Sequence, residues 1–232
     1  MRIGGFQKLS LVDFPGMVAA TVFTQGCNFR CGYCHNPELV LPHLFCEALP
    51  LEMILDHLKD RRGKLEGIVI TGGEPTLQTG LVDFITQIKA MGFAVKLDTN
   101  GSQPEVLSTL IALKLLDFIA MDVKSSLEKY SQVTRVACNT AKIRESIHMI
   151  INSGISYQLR TTLVKEFCSP QDLGDMQSLL EIVDHYLLQP FALSPKLVDH
   201  QVNELSHYSS VEIEILKLKY DKGNLCTLRS KN

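Results

Sequence analysis

The chain has 232 residues, 45% apolar and 21% charged, the balance of a soluble globular protein most economically built as one domain, 1–232. Its net charge of −2 and the lack of any extended basic run argue against nucleic acid as a partner. No stretch approaches the ~18 consecutive apolar residues of a membrane span, and Met1-Arg2-Ile3-Gly4-Gly5 lacks the apolar core of a signal peptide, so a cytoplasmic protein with no membrane association is expected.

Residues 1–16 carry turn chemistry, Gly4-Gly5 and Asp13-Phe14-Pro15-Gly16, around a short extended piece, which predicts an N-terminal strand or hairpin. The apolar run 17–23 reads as a buried strand. Residues 38–50 are expected to be irregular, because Pro37, Pro42 and Pro50 punctuate them. Leu51, Ile54, Leu55 and Leu58 then recur at helical spacing over 51–62, and Gly63 stops the helix. From there strands at 67–71, 93–97, 117–121, 155–164 and 182–190 alternate with helices at 81–91, 104–115, 142–152 and 173–180. A charged amphipathic helix over 211–219 and a short strand near 225–228 close the chain.

Such alternation predicts βαβ units and a parallel sheet, either doubly wound or a barrel. Both place function at the C-terminal ends of strands. The chain is short for an eightfold barrel of ~250 residues, so an α/β partial, open (β/α)6 TIM-like barrel preceded by a short hairpin fits better.

The strand at 17–23 runs into Gln25-Gly26-Cys27-Asn28-Phe29-Arg30-Cys31-Gly32-Tyr33-Cys34-His35, which presents three thiols together at a strand end. Seven cysteines in a cytoplasmic chain are expected to be metal-binding, catalytic or buried rather than paired. Iron–sulfur clusters and structural zinc sites usually take four ligands. Three thiolates with an open position suit a reactive 4Fe–4S cluster whose remaining iron is free for a small molecule. Two alternatives stand beside this. A zinc knuckle would use Cys27, Cys31, Cys34 and His35. Covalent haem at Cys31-Gly32-Tyr33-Cys34-His35 is discarded, since it needs export and leaves Cys27 unused.

The pattern C-x-x-x-C-x-x-C with an aromatic before the last cysteine, followed after the next strand by Gly72-Gly73-Glu74-Pro75, resembles the radical S-adenosylmethionine (SAM) superfamily. The resemblance implies that Cys27, Cys31 and Cys34 ligate the cluster that carries the catalysis. It also implies that Tyr33 lies beside the adenine, by its ring or its backbone, and that Gly72, Gly73 and Glu74 receive the methionyl amine. Asp98-Thr99-Asn100-Gly101 and Met121-Asp122-Val123-Lys124 look like the D-T-N-G and M-D-x-K patterns of glycyl-radical-enzyme activases. Period two puts Asp122 and Lys124 on one face, and by resemblance the lysine meets the SAM carboxylate. Asp98, Thr99, Met121 and Asp122 also make an oxygen-rich set for a monovalent cation, and Arg160 corresponds to a strand-five arginine near the SAM.

Residues 5–31, from Gly5-Phe6-Gln7-Lys8-Leu9 onward, look like activating proteins of anaerobic ribonucleoside-triphosphate reductase. That resemblance implies reductive cleavage of SAM, with an electron from a flavodoxin or ferredoxin, and a glycyl radical formed on the reductase. Pyruvate formate-lyase activases carry a Pro-Tyr-His segment, where this chain has Pro190-Phe191-Ala192. A formate-lyase type of partner is therefore less expected. Other rivals are a small-molecule radical SAM enzyme and, outside enzymes, a zinc or electron-transfer module. Glu74, Asp98 and Lys124 at successive strand ends speak against that last reading.

Overall fold

In the computed structural model, which describes residues 1–222, strand order decides between the two architectures. Seven strands form one sheet in the order β1 to β7 without reversal. They are β1 (Ile3–Ser10), β2 (Ala19–Thr24), β3 (Gly67–Gly72), β4 (Ala94–Thr99), β5 (Phe118–Asp122), β6 (Ser156–Leu163) and β7 (Tyr186–Pro190). A doubly wound sheet reverses order at a switch point, and this one does not. β1 pairs antiparallel with β2, and the other neighbours are all parallel. The fold is thus six parallel strands of a partial barrel with an N-terminal hairpin strand on one edge.

The helices are α1 (Pro37–Val40), α2 (Leu51–Asp60), α3 (Leu81–Ala90), α4 (Pro104–Ala112), α5 (Tyr130–Thr134), α6 (Thr140–Asn152), α7 (Pro170–Leu180) and α8 (Ser210–Tyr220). The faces that α2, α3 and α6 bury, such as Ile54-Leu55-Leu58 and Phe84-Ile85-Ile88, join one large core with outward residues of the sheet. A second, smaller cluster of Phe14, Ala19, Val69, Phe118 and Ala120 packs separately. Phe14 reaches it from the β1–β2 connection and meets Phe118 edge-on, with ring centroids 6.1 Å apart. A Cβ on Gly67 would come within 2.7 Å of the Phe14 ring, so a side chain there would displace it. Strands covered on both sides explain the near-continuous apolar runs of β2, β3 and β5.

Several boundaries differ from the sequence expectation, for physical reasons. β2 begins at Ala19 because Met17 donates its N–H to Phe14 in a turn and Val18 donates to the Glu66 carboxylate. β7 begins at Tyr186, after Ile182, which is 55% exposed and pairs with no strand. α7 starts earlier than apolar spacing indicates, since Ser169 and Asp172 form a reciprocal capping box at its N-terminus. Pro37 at a first helical position permits the short α1 inside a stretch expected to be irregular. The strand expected near 225–228 lies outside the described residues. Among the described residues no helix is long and apolar enough to cross a membrane.

Candidate active site

The cysteine loop leaves β2 through Gly26, whose φ of +103° is a conformation that glycine adopts without strain. Backbone bonds then tie it to the loop after β3. Gly73 N–H donates to Thr24 O and Glu74 N–H to Gly26 O, both at 2.8 Å. A Cβ on Gly73 would sit 2.1 Å from Gly26 O, so only glycine permits this approach. Arg30 Nη1 donates to the carbonyls of Cys27 (2.6 Å) and Phe29 (2.8 Å) and holds the loop from within. Phe29 N–H donates to Cys27 Sγ at 3.4 Å, and Asn100 Nδ2 points to the same sulfur at 4.0 Å.

All three thiols are free. Burial pushes Cys27 up to about 12, with Glu74 adding to the effect, and burial also raises Cys31 and Cys34. Unliganded thiols here stay protonated, and a bound cationic group is needed to draw all three as thiolates. Among the described residues no three His, Cys, Asp or Glu side chains converge closely enough to hold one metal ion. A cluster gives each thiolate its own iron, so this donor set fits a polynuclear cluster better than a single zinc ion.

The strand ends bring the residues singled out for the cluster and S-adenosylmethionine to one cavity of about 670 Å³, within the size range of a small-ligand pocket, whereas Met121 is buried outside its lining. Cys27, Cys31, Tyr33, Cys34, Gly72, Gly73, Glu74, Asp98, Thr99, Asp122, Lys124 and Arg160 all line it. Glu74 is buried, and its carboxylate is largely committed to protein donors. Oε1 accepts from Thr76 N–H (3.1 Å), Thr76 Oγ1 (2.5 Å) and Thr99 Oγ1 (2.7 Å), while Oε2 accepts from Asn100 N–H at 2.6 Å. Burial raises its pKa against the pull of those donors. The side chain expected to face an ammonium therefore spends most of its acceptor capacity joining two loops, with capacity remaining on Oε2.

A row of charges crosses the cavity from β4 to the residues after β5. Arg160 Nε donates to Asp122 Oδ1 at 2.9 Å, and its Nη1 lies 3.6 Å from Asp98 Oδ2. Lys124 Nζ donates to Asp122 Oδ2 at 3.1 Å. Burial alone would raise Asp122, but the two cations outweigh it and hold the carboxyl well below the usual range. Burial alone would lower Lys124, but the attraction and hydrogen bond of Asp122 together with the attraction of Tyr33 and Cys31 outweigh it and raise the ammonium above its usual range. Sequence reasoning missed Lys96, which pairs with Asp98 from two residues earlier on β4. Period two was the signal that could have found it.

Tyr33 is brought to the site with its ring packed into the protein, 5% exposed, 6.0 Å from the Phe167 ring and 6.0 Å beneath Lys124 Nζ. Its hydroxyl has no hydrogen-bond partner among the described residues. On the opposite wall, sequence reasoning singled out Pro190-Phe191-Ala192 and missed the residues that pack against them. There the Phe191 ring stacks on His207 (5.3 Å) and meets His35 edge-on (5.5 Å), beside Ala192. Val198 and Asp199 donate backbone N–H groups to Cys34 O and Gly32 O at 3.0 Å, and Arg135 pairs with Asp199. Contacts between residues so far apart in the chain leave no local signal.

Comparison with known proteins gives the following. Residues 21–167 match the family model of the Radical SAM superfamily. A putative glycyl-radical enzyme activating enzyme of Methanocaldococcus jannaschii is 34% identical over 194 residues, covering 82% of this chain and 79% of the relative. The pyruvate formate-lyase 1-activating enzyme of Escherichia coli is 28% identical over 203 residues, covering 82% and 80%. The structure of Streptococcus suis SuiB bound to S-adenosylmethionine superposes with a TM-score of 0.63 at 13% identity. It is covered over 90% of this chain and 47% of its own, so this chain spans about half its length and the likeness is one of fold.

Proposed function

Because the chain belongs to the radical SAM superfamily, among the glycyl-radical-enzyme activating enzymes, we propose that it activates anaerobic ribonucleoside-triphosphate reductase. It would do so by cleaving S-adenosylmethionine and drawing a hydrogen atom from one backbone glycine of that partner. The observation that carries this reading is the convergence of three free thiols, a glycine-lined loop and a lysine on one cavity. Cys27, Cys31 and Cys34 would hold a cluster that, once reduced by a flavodoxin or ferredoxin, would supply the electron for cleaving the sulfonium.

This chain's own residues bind and orient the substrate. Lys124, kept protonated by Asp122, offers its ammonium to the substrate carboxylate. The backbone of Gly72 and Gly73, with the remaining acceptor capacity of Glu74 Oε2, receives the amine. Tyr33 contributes through its backbone, since its ring is turned into the protein against Phe167. The apolar side chains of Phe29, Val40 and Leu188 help exclude water from the reacting atoms. No separate monovalent cation is part of this proposal.

The reductase partner is supported by the run from Gly5 to Cys31 and by Ala192, where formate-lyase activases carry histidine. The relatives named as pyruvate formate-lyase-activating enzymes support the rival partner. The test mixes reconstituted protein, reductant and S-adenosylmethionine with each candidate enzyme and records electron paramagnetic resonance. A glycyl doublet with the reductase is the expected result. A doublet with formate-lyase alone would reassign the partner.

A further inference from the structure

Lys96 sits one rung below Asp98 on β4, flanked in register by Val69 of β3 and Phe118 of β5. Its side chain is only 5% exposed. A lysine remains charged among such neighbours only beside an anion, and the Asp98 carboxylate is that anion. The other Asp98 oxygen faces Arg160 at 3.6 Å, Arg160 bonds to Asp122 at 2.9 Å, and Asp122 accepts from Lys124 at 3.1 Å. Lys96, Asp98, Arg160, Asp122 and Lys124 thus form an alternating row. Lys96 lies outside the cavity lining, while Lys124 opens onto it. Three cations against two carboxylates leave one positive charge for an anionic group.

We propose that Lys96 stands in for a bound monovalent cation: its ammonium neutralises Asp98, so the site works without K+ or Na+. On sequence grounds Asp98, Thr99, Met121 and Asp122 suit such a cation, and the ammonium of Lys96 supplies the charge from within the fold. Without it, Asp98 would compete for Arg160 and draw it from Asp122. Asp122 would then hold Lys124 more tightly and withdraw it from the ligand. Lys96 is therefore a positioning residue, acting on substrate only through this row. Its effect on substrate rests on the S-adenosylmethionine reading, whereas its effect on the chain alone does not.

The test compares wild type with Lys96→Met in KCl, NaCl and choline chloride at equal ionic strength. It reads the melting temperature of the metal-free chain and the S-adenosylmethionine affinity of the reconstituted one. Wild type is expected to be indifferent to the salt in both measurements. Lys96→Met is expected to lose at least about tenfold in affinity in choline chloride and to recover most of it in KCl or NaCl. Its metal-free form should melt higher in KCl than in choline chloride.

Any of three outcomes overturns the proposal. These are a K+ or Na+ requirement in wild type, full affinity of Lys96→Met in choline chloride, and a loss that neither cation restores. The wild-type salt comparison decides even if the variant fails to fold. If wild type binds no S-adenosylmethionine in any salt, the functional reading falls, and the metal-free melting comparison still judges Lys96.

Discussion

The wall of the cavity that runs from the cysteine loop across the ends of β3 and β4 is held by backbone contacts and one buried carboxylate. The wall that follows β7 has two backbone bonds to the cysteine loop, from Val198 and Asp199, and is otherwise held by side chains arriving from far along the chain. In the first, Gly73 and Glu74 hydrogen-bond the strand end at Thr24 and Gly26, and Glu74 reaches across to Thr99 and Asn100. In the second, Phe191 lies between His35 and His207, and Arg135 pairs with Asp199. Backbone contacts at such close range admit few residue types, whereas an aromatic stack or an exposed ion pair can be built in many ways. This contrast explains why motifs crowd the first wall and why the second leaves little local signal in the sequence.

Breaking the first wall should have the largest effect. Gly73→Ala drives a methyl into Gly26 O, and relief requires moving the cysteine loop. It is expected to destabilise the fold by about 2–4 kcal/mol and to abolish iron loading, read by melting temperature and visible absorbance. Arg160→Met comes next, since it strips Asp122 and Asp98 of a shared cation. A loss of about 2–4 kcal/mol in stability and weaker S-adenosylmethionine binding are expected, measured by denaturant melts and equilibrium binding.

Acid sharpens the same comparison. Asp122 is depressed, so its contribution to stability is fully present above its unfolded pKa of 3.8 and is lost as pH falls through the lower folded value. Melting temperature should therefore drop on acidification below about pH 4, and Asp122→Asn should flatten that part of the profile.

The second wall should yield the smallest changes. Phe191→Ala removes a half-buried stack and is expected to cost about 1 kcal/mol. Arg135→Ala opens a pair whose side chains are 41% and 21% exposed, with an expected cost of about 0.5 kcal/mol. Both variants should still load iron, and a loss of the cluster in either would erase the distinction between the walls.

Much of this was legible in the sequence, for identifiable reasons. The six parallel strands were readable because strands buried on both faces carry unbroken apolar runs, as β2, β3 and β5 do. The twelve candidate residues that line the cavity were readable because each occupies a strand end, or the loop that follows one. What stayed hidden depends on contacts that spacing does not encode. The commitment of Glu74 to Thr76, Thr99 and Asn100 follows from the closeness of two loops. The burial of the Tyr33 ring follows from Phe167, far along the chain. Lys96 was visible in principle, two residues from Asp98 on one strand face, but its meaning depends on burial.

Under the proposed function, Cys27, Cys31 and Cys34 act with the polar strand ends in cleaving S-adenosylmethionine. The most direct measurement reconstitutes the protein anaerobically with iron and sulfide, adds dithionite and S-adenosylmethionine, and quantifies 5′-deoxyadenosine. Steady release by wild type and none by Cys27→Ala is the predicted result. Iron loading without release, with Cys27→Ala indistinguishable from wild type, would contradict that function.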